Sequence, residues 1–197
     1  MIIILEGLNG TGKSATALPL ADTLGASILR PFRGKDTSKH LGRDGDGRME
    51  RLRKLGIPAN TFVDDIYVAD FLASTGVPAV LDRSMGSAVA YGMLYGDIPS
   101  AVVGRDLLTE WQNILMSSAK KILYVNVTCR RDVRRKRCKD DRRWCPTASQ
   151  ENMLEQWFSH IFGDIQLPKM ILDTSDIEPS EIGATGCRRV TRALGGW

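Results

Sequence analysis

Residues Gly7-Leu8-Asn9-Gly10-Thr11-Gly12-Lys13-Ser14 have the form G-x-x-x-x-G-K-S. An apolar run, Ile2-Ile3-Ile4-Leu5, precedes them, and a helical pattern from Ala15 to Leu24 follows. That is the strand–loop–helix setting of a phosphate-binding loop. Its glycines let the backbone turn so that N–H groups face inward. Those donors and the positive end of the next helix cradle an anionic phosphate. Lys13 is expected to reach the β- and γ-phosphates of a nucleotide, and the Ser14 hydroxyl to ligate Mg²⁺. Asn9, Gly10, Thr11, Gly12, Lys13 and Ser14 are therefore the expected phosphate contacts.

A chain of 197 residues that is 43% hydrophobic suits one domain, residues 1–197, with a sizeable core. It has no run of about 18 apolar residues, so no membrane span is expected. The start, Met1 to Glu6, lacks a basic leader and reads as a core strand rather than a signal peptide. The expected setting is cytoplasmic. Cys129, Cys138, Cys145 and Cys187 form no C-x-x-C pair, and His40 and His160 stand far apart. Reduced thiols are expected rather than a zinc site. Asp44-Gly45-Asp46-Gly47 with Glu50 lacks the ligand spacing of an EF-hand and reads as a turn.

Apolar, β-prone runs recur at Ile2–Leu5, Ser27–Leu29, Pro78–Leu81, Ile122–Val127 and Met170–Leu172. Helical patterns lie between them, at Ala59–Ser74, Arg105–Ala119 and Gln150–Phe162. A further helix, Glu178–Leu194, is expected to be interrupted at Gly183 and Gly186. Short buried strands alternating with helices predict an α/β fold whose parallel sheet is covered on both faces. Gly34–Arg48 and Lys139–Thr147 read as loops over the phosphate site. The net charge is only +4, but nine Lys and Arg residues fall between Arg130 and Arg143. Nucleotide phosphates are a sufficient partner for such a patch, and no interleaved aromatics suggest a nucleic-acid platform.

Val80-Leu81-Asp82-Arg83-Ser84 closes the third apolar run. An Asp there can hold a metal-bound water or a substrate hydroxyl, and the adjacent Arg can neutralise a phosphate. The run Asp82-Arg83-Ser84-Met85-Gly86-Ser87-Ala88-Val89-Ala90-Tyr91, together with Glu6 to Ser14, resembles the thymidylate kinase family and its deoxynucleoside kinase relatives. Those enzymes carry an E-G-x-D-G-x-G-K-S/T loop, a D-R-Y-x-x-S-x-x-A-Y segment and an Arg-rich lid. Ile171-Leu172-Asp173-Thr174-Ser175 is similar to the family's last strand, whose following turn borders the donor base. Asn9 replaces the family's loop Asp, and Ser84 its Tyr, which draws D-R-S toward the E-R-S of deoxynucleoside kinases.

The resemblance implies a P-loop NTPase fold, a five-stranded parallel sheet of order 2-3-1-4-5 and a lid near residues 130–147. It also implies transfer of a phosphoryl group from Mg·ATP to a deoxynucleoside 5′-monophosphate, dTMP above all, and a homodimer. On this reading Lys13, Asp82, Arg83 and the lid residues Arg134 and Arg137 are catalytic. Ser14 and Asp82 hold Mg²⁺. Phe32, Arg33, Arg83, Ser87 and Tyr91 contact the acceptor, and the base contact is sought near Asn60 and Thr61. Arg130, Arg131, Arg135, Arg142 and Arg143 read mainly as solvated helix-face charges. The alternative acceptor is a hydroxyl, on a deoxynucleoside or on a modified base in a nucleotide or in DNA, with Glu6 or Asp82 as general base. GTPases and motor ATPases fit less well, because neither an N-K-x-D nor a strand ending in Asp-Glu is present.

Overall fold

The computed structural model describes residues 1–29, 68–96, 98–117, 121–140 and 146–195. At its centre runs β1 (Ile2–Glu6), buried along its whole length. An unbroken apolar strand of this kind needs cover on both faces. It pairs in parallel with β3 (Ala79–Asp82) on one side, in the register Leu5 to Asp82, and with β4 (Ile122–Thr128) on the other, Glu6 to Asn126. Outside them lie β2 (Ser27–Leu29) and β5 (Lys169–Asp173), completing the order β2-β3-β1-β4-β5. All five strands match the apolar runs to within a residue or two, and the order matches the one the resemblance implies.

Alternate residues of β1 feed two cores. Ile2 and Ile4 point to one face, where Leu81, Met85, Trp111, Leu154 and Phe158 pack. Ile3 and Leu5 point to the other, with Ala17, Leu20, Val125 and Val190. The first face is covered by α3 (Met85–Tyr95), α4 (Ala101–Met116) and α6 (Ala148–Asp164), the second by α1 (Lys13–Leu24) and α7 (Ile182–Gly195). Helix α2, residues 68–75, is the described end of the pattern predicted at 59–74. Helix α5 (Arg131–Asp140) carries the described part of the basic stretch. Among the described residues no helix is long and apolar enough to cross a membrane.

Several helix limits differ from expectation for local reasons. Helix α4 starts earlier because the Ser100 hydroxyl caps it, accepting the Val103 N–H. Helix α6 starts on a reciprocal cap between Thr147 and Gln150. Helix α7 is continuous from Ile182, after a 3₁₀ turn at Pro179–Glu181, so Gly183 and Gly186 do not interrupt it. They are packing sites. A Cβ at Gly186 would lie 2.5 Å from Thr16 Oγ1, and one at Gly183 would lie 2.8 Å from the Ala15 carbonyl. That carbonyl loses its helical donor because Pro19, four residues on within α1, has no N–H.

The chain crosses from one side of β1 to the other after β3. In open α/β sheets the crevice at such a switch point, outside the carboxyl ends of the strands, is where ligands sit. Here it receives the loop after β1 and Asp82-Arg83 at the carboxyl end of β3.

Candidate functional site

The loop from Gly7 to Gly12 depends on positive backbone angles, with φ 134° at Gly7, 78° at Gly10 and 93° at Gly12. It is also sterically closed. A Cβ at Gly10 would lie 2.8 Å from Cys138 Sγ and 2.9 Å from the Arg134 carbonyl, and one at Gly12 would lie 2.6 Å from Ile182 Cγ2. Gly12 is the N-cap of α1 and no side chain caps that helix. Its first N–H groups and the positive end of its dipole therefore suit an anion. Lys13 is buried, its ammonium donating to the Leu8 carbonyl at 2.5 Å and to Thr11 Oγ1 at 3.3 Å. Ser14 follows it, half-buried. Asp82 is buried at the carboxyl edge of β3, in register with Leu5. A cradle of glycine backbone, one ammonium, one hydroxyl and one carboxylate suits a nucleotide triphosphate with its divalent ion.

Arg83 is the one described non-glycine residue with a positive φ, 77°. Strain of this kind persists where the surroundings over-determine it, often at functional sites. Its N–H donates to the Leu5 carbonyl at 3.0 Å, fixing it to β1. Its guanidinium reaches the loop. Nη1 donates to the Gly7 carbonyl at 3.3 Å and Ser87 Oγ at 3.0 Å, Nη2 donates to Asn9 Oδ1, and the group lies 5.4 Å above the centre of the Tyr91 ring. Arg83, Ser87, Tyr91 and Asn9 are thus brought together.

Glu6 has a different place from the one a general base would need. It is fully buried, and both carboxylate oxygens face the start of α3. Oε1 accepts the backbone N–H of Ser84 at 2.8 Å and of Ser87 at 3.0 Å, and the Ser87 hydroxyl donates to Oε2. Glu6 thereby caps α3 from another strand, where Ser84, the N-cap residue, makes no side-chain cap of its own. A Cβ at Gly86 would lie 2.6 Å from the Tyr124 hydroxyl and 3.1 Å from Glu6 Oε1, so only glycine fits beside the cap. Burial raises the Glu6 pKa against the opposing effect of the Ser87 bonds and the Arg83 charge. Burial likewise raises Tyr91 and, further, Tyr124, to which Glu6 adds.

The basic stretch is also organised differently from a row of solvated charges. Arg134 is 1% exposed and pairs with the fully buried Glu151, and with Glu155 at 3.2 Å. Arg131 and Arg135 converge on the same carboxylates. The bonds from Arg131 and Arg134 outweigh burial and hold Glu155 below its ordinary pKa. Arg130 pairs at the surface with Asp176. Arg137 turns inward to the turn after β5. The partnership of Glu151 with Arg134, of Thr174 with Arg137 and of Cys138 with the glycine loop is not part of the sequence reading. Each joins residues distant in sequence, and no local pattern marks it. Phe32, Arg33, Asn60, Thr61, Arg142, Arg143 and the loop 34–48 lie outside the described residues.

Parallel order β2-β3-β1-β4-β5 with a glycine loop between β1 and α1 decides the architecture. The chain has the P-loop NTPase fold. Solved structures with this fold align over nearly its whole length. The YorR protein of Bacillus subtilis, crystallised with phosphorylated GDP, is 18% identical over 99% of this chain and 98% of its own, with a TM-score of 0.66. A deoxyadenosine kinase from M. mycoides with bound dCTP is 14% identical over all of both chains, at 0.57. A shikimate kinase from Acinetobacter baumannii in complex with shikimate is 12% identical over 99% of this chain and 93% of its own, at 0.53. At such identities the likeness is one of fold. No protein-family model and no curated protein matches the chain.

Proposed function

We propose that the chain is a thymidylate kinase-like nucleotide kinase that transfers the γ-phosphoryl group of ATP to a deoxynucleoside 5′-monophosphate, dTMP above others. The observation that carries this reading is the setting of Arg83. Among the described residues its guanidinium donates to three neutral oxygens at the crevice, those of Gly7, Ser87 and Asn9, and such a fork suits an anionic phosphate. A phosphate acceptor is already an anionic nucleophile and needs positioning and charge neutralisation rather than a base.

Lys13 and the N–H groups from Gly10 to Ser14 would hold the donor phosphates. Ser14 and Asp82 would hold Mg²⁺ together with phosphate oxygens and water, the ion supplying neutralisation of charge on the transferred group. Arg83 and Tyr91 would hold the acceptor, and Ser87, whose one proton goes to Glu6, would position Arg83. Two structural neighbours hold nucleotides, YorR phosphorylated GDP and the deoxyadenosine kinase dCTP, which supports a nucleotide-binding crevice.

A hydroxyl acceptor is the second reading, favoured by the buried Asp82 beside Arg83 and by the name of the deoxyadenosine kinase neighbour. The enclosure of Glu6 leaves Asp82 as its base. Arg83→Ala separates the two. With a monophosphate acceptor kcat/KM should fall roughly 10- to 100-fold, the loss of a charged hydrogen bond, and with a nucleoside far less. Equal losses would contradict the monophosphate reading.

A further inference from the structure

Arg137 is half-buried on α5 with its guanidinium engaged inside the protein. Nη1 donates to Thr174 Oγ1 at 3.0 Å and to Cys129 Sγ at 3.3 Å. Nη2 donates to the carbonyls of Thr174 at 2.9 Å and Ile177 at 2.8 Å. Those carbonyls frame a tight turn, since the Ile177 N–H returns to the Thr174 carbonyl at 3.2 Å. One planar cation thus pins both ends of residues 174–177, which a point-charge ammonium could not do.

The turn bears on the phosphate loop at two places. Thr174 is fully buried, and its Oγ1 lies 2.9 Å from the Thr11 carbonyl and 3.2 Å from that of Thr128. A hydroxyl has one proton to give. With Arg137 donating into the oxygen, that proton is directed to a carbonyl, and Thr11 is the closer. Thr11 in turn donates to the Leu8 carbonyl at 2.9 Å and lies 3.3 Å from the Lys13 ammonium. A few residues past the turn, Ile182 fills the space beneath Gly12.

We propose that Arg137 is a positioning residue for the donor nucleotide. It clamps the turn 174–177 and, through the Thr174 hydroxyl, fixes the Thr11 peptide and so the phosphate loop, without touching the group transferred. This assignment rests on the nucleotide reading of the loop.

The test compares wild type, Arg137→Lys, Thr174→Val, the double variant and Lys13→Ala. Calorimetry gives the Kd for Mg·ATP, and steady-state assays with dTMP give KM and kcat. Arg137→Lys and Thr174→Val should each raise Kd and KM for ATP about tenfold, as expected for a displaced contact surface, with kcat within about threefold. The double variant should be no weaker than the worse single, because both act through one relay. A kcat loss of about 100-fold at unchanged Kd would make Arg137 catalytic and overturn the proposal. So would an unaffected Kd in Thr174→Val, which removes one hydroxyl and carries the test if Arg137→Lys fails to fold. Failure of wild type to bind Mg·ATP, or full binding by Lys13→Ala, would instead overturn the nucleotide reading.

Discussion

Glu6 accepts the backbone N–H of Ser87 at 3.0 Å, so the carboxylate that ends the central strand caps a helix that starts beside the neighbouring one. The bond joins β1 to α3 just where Arg83 must project, and it orients the residues that face the crevice. Glu6→Gln keeps an acceptor for both N–H groups and should keep the fold and most of the activity. Glu6→Ala strands the N–H groups of Ser84 and Ser87 and should cost about 1–3 kcal/mol for each group left unsatisfied, read by urea denaturation. Loss of all transfer in a well-folded Glu6→Gln would restore Glu6 as a base.

The same carboxyl gives a pH signature. Burial holds its pKa above the ordinary 4.5 in the folded state. Its favourable contribution is therefore complete below 4.5 and declines as pH rises through the raised value, because the unfolded chain has already released the proton. Glu6→Gln lacks this titration. The stability of the variant relative to wild type should climb as pH rises above 4.5 through the raised value. A flat difference across denaturation curves in that range would contradict the assignment.

Gly10 is the tightest point between the phosphate loop and α5. Gly10→Ala meets a sulfur at 2.8 Å and a main-chain carbonyl at 2.9 Å, at a φ of 78°. Backbone strain alone costs about 1–3 kcal/mol. The variant should melt lower and bind Mg·ATP at least about tenfold more weakly, since the loop must shift. Unchanged binding by calorimetry would mean that the loop is not held by α5.

The Arg134–Glu151 pair is internal, with side chains 1% and 0% exposed. Removing one partner leaves a buried charge, so Glu151→Ala should cost about 3–5 kcal/mol, and Arg134→Met with Glu151→Leu should recover much of it. Denaturant unfolding of the three proteins measures both. A single variant that unfolds like wild type would return Arg134 to the exposed, mobile role expected of a lid residue.

The strands were legible because each is an apolar run bounded by turn residues, and the phosphate loop because its chemistry is local. Sheet order was not readable from the strands themselves; it came with the resemblance. The inward turn of Arg134 and Arg137 was hidden, because α5 reads as a run of basic residues with no apolar stripe to orient it and their partners, Glu151 and Thr174, lie far along the chain. Gly183 and Gly186 read as helix breakers for a related reason. Their effect depends on how closely α1 approaches, which no local pattern states. The φ of 77° at Arg83 is likewise imposed by the strand it leaves and the loop it reaches.

The most direct test of the kinase reading follows the products when the purified protein is incubated with Mg·ATP and a panel of deoxynucleosides and their 5′-monophosphates, with Lys13→Ala alongside. The account predicts ADP release that depends on an added monophosphate, dTMP foremost, with conversion of that monophosphate to its diphosphate and no turnover by Lys13→Ala. Conversion of nucleosides alone, or ATP hydrolysis indifferent to any acceptor, would contradict it.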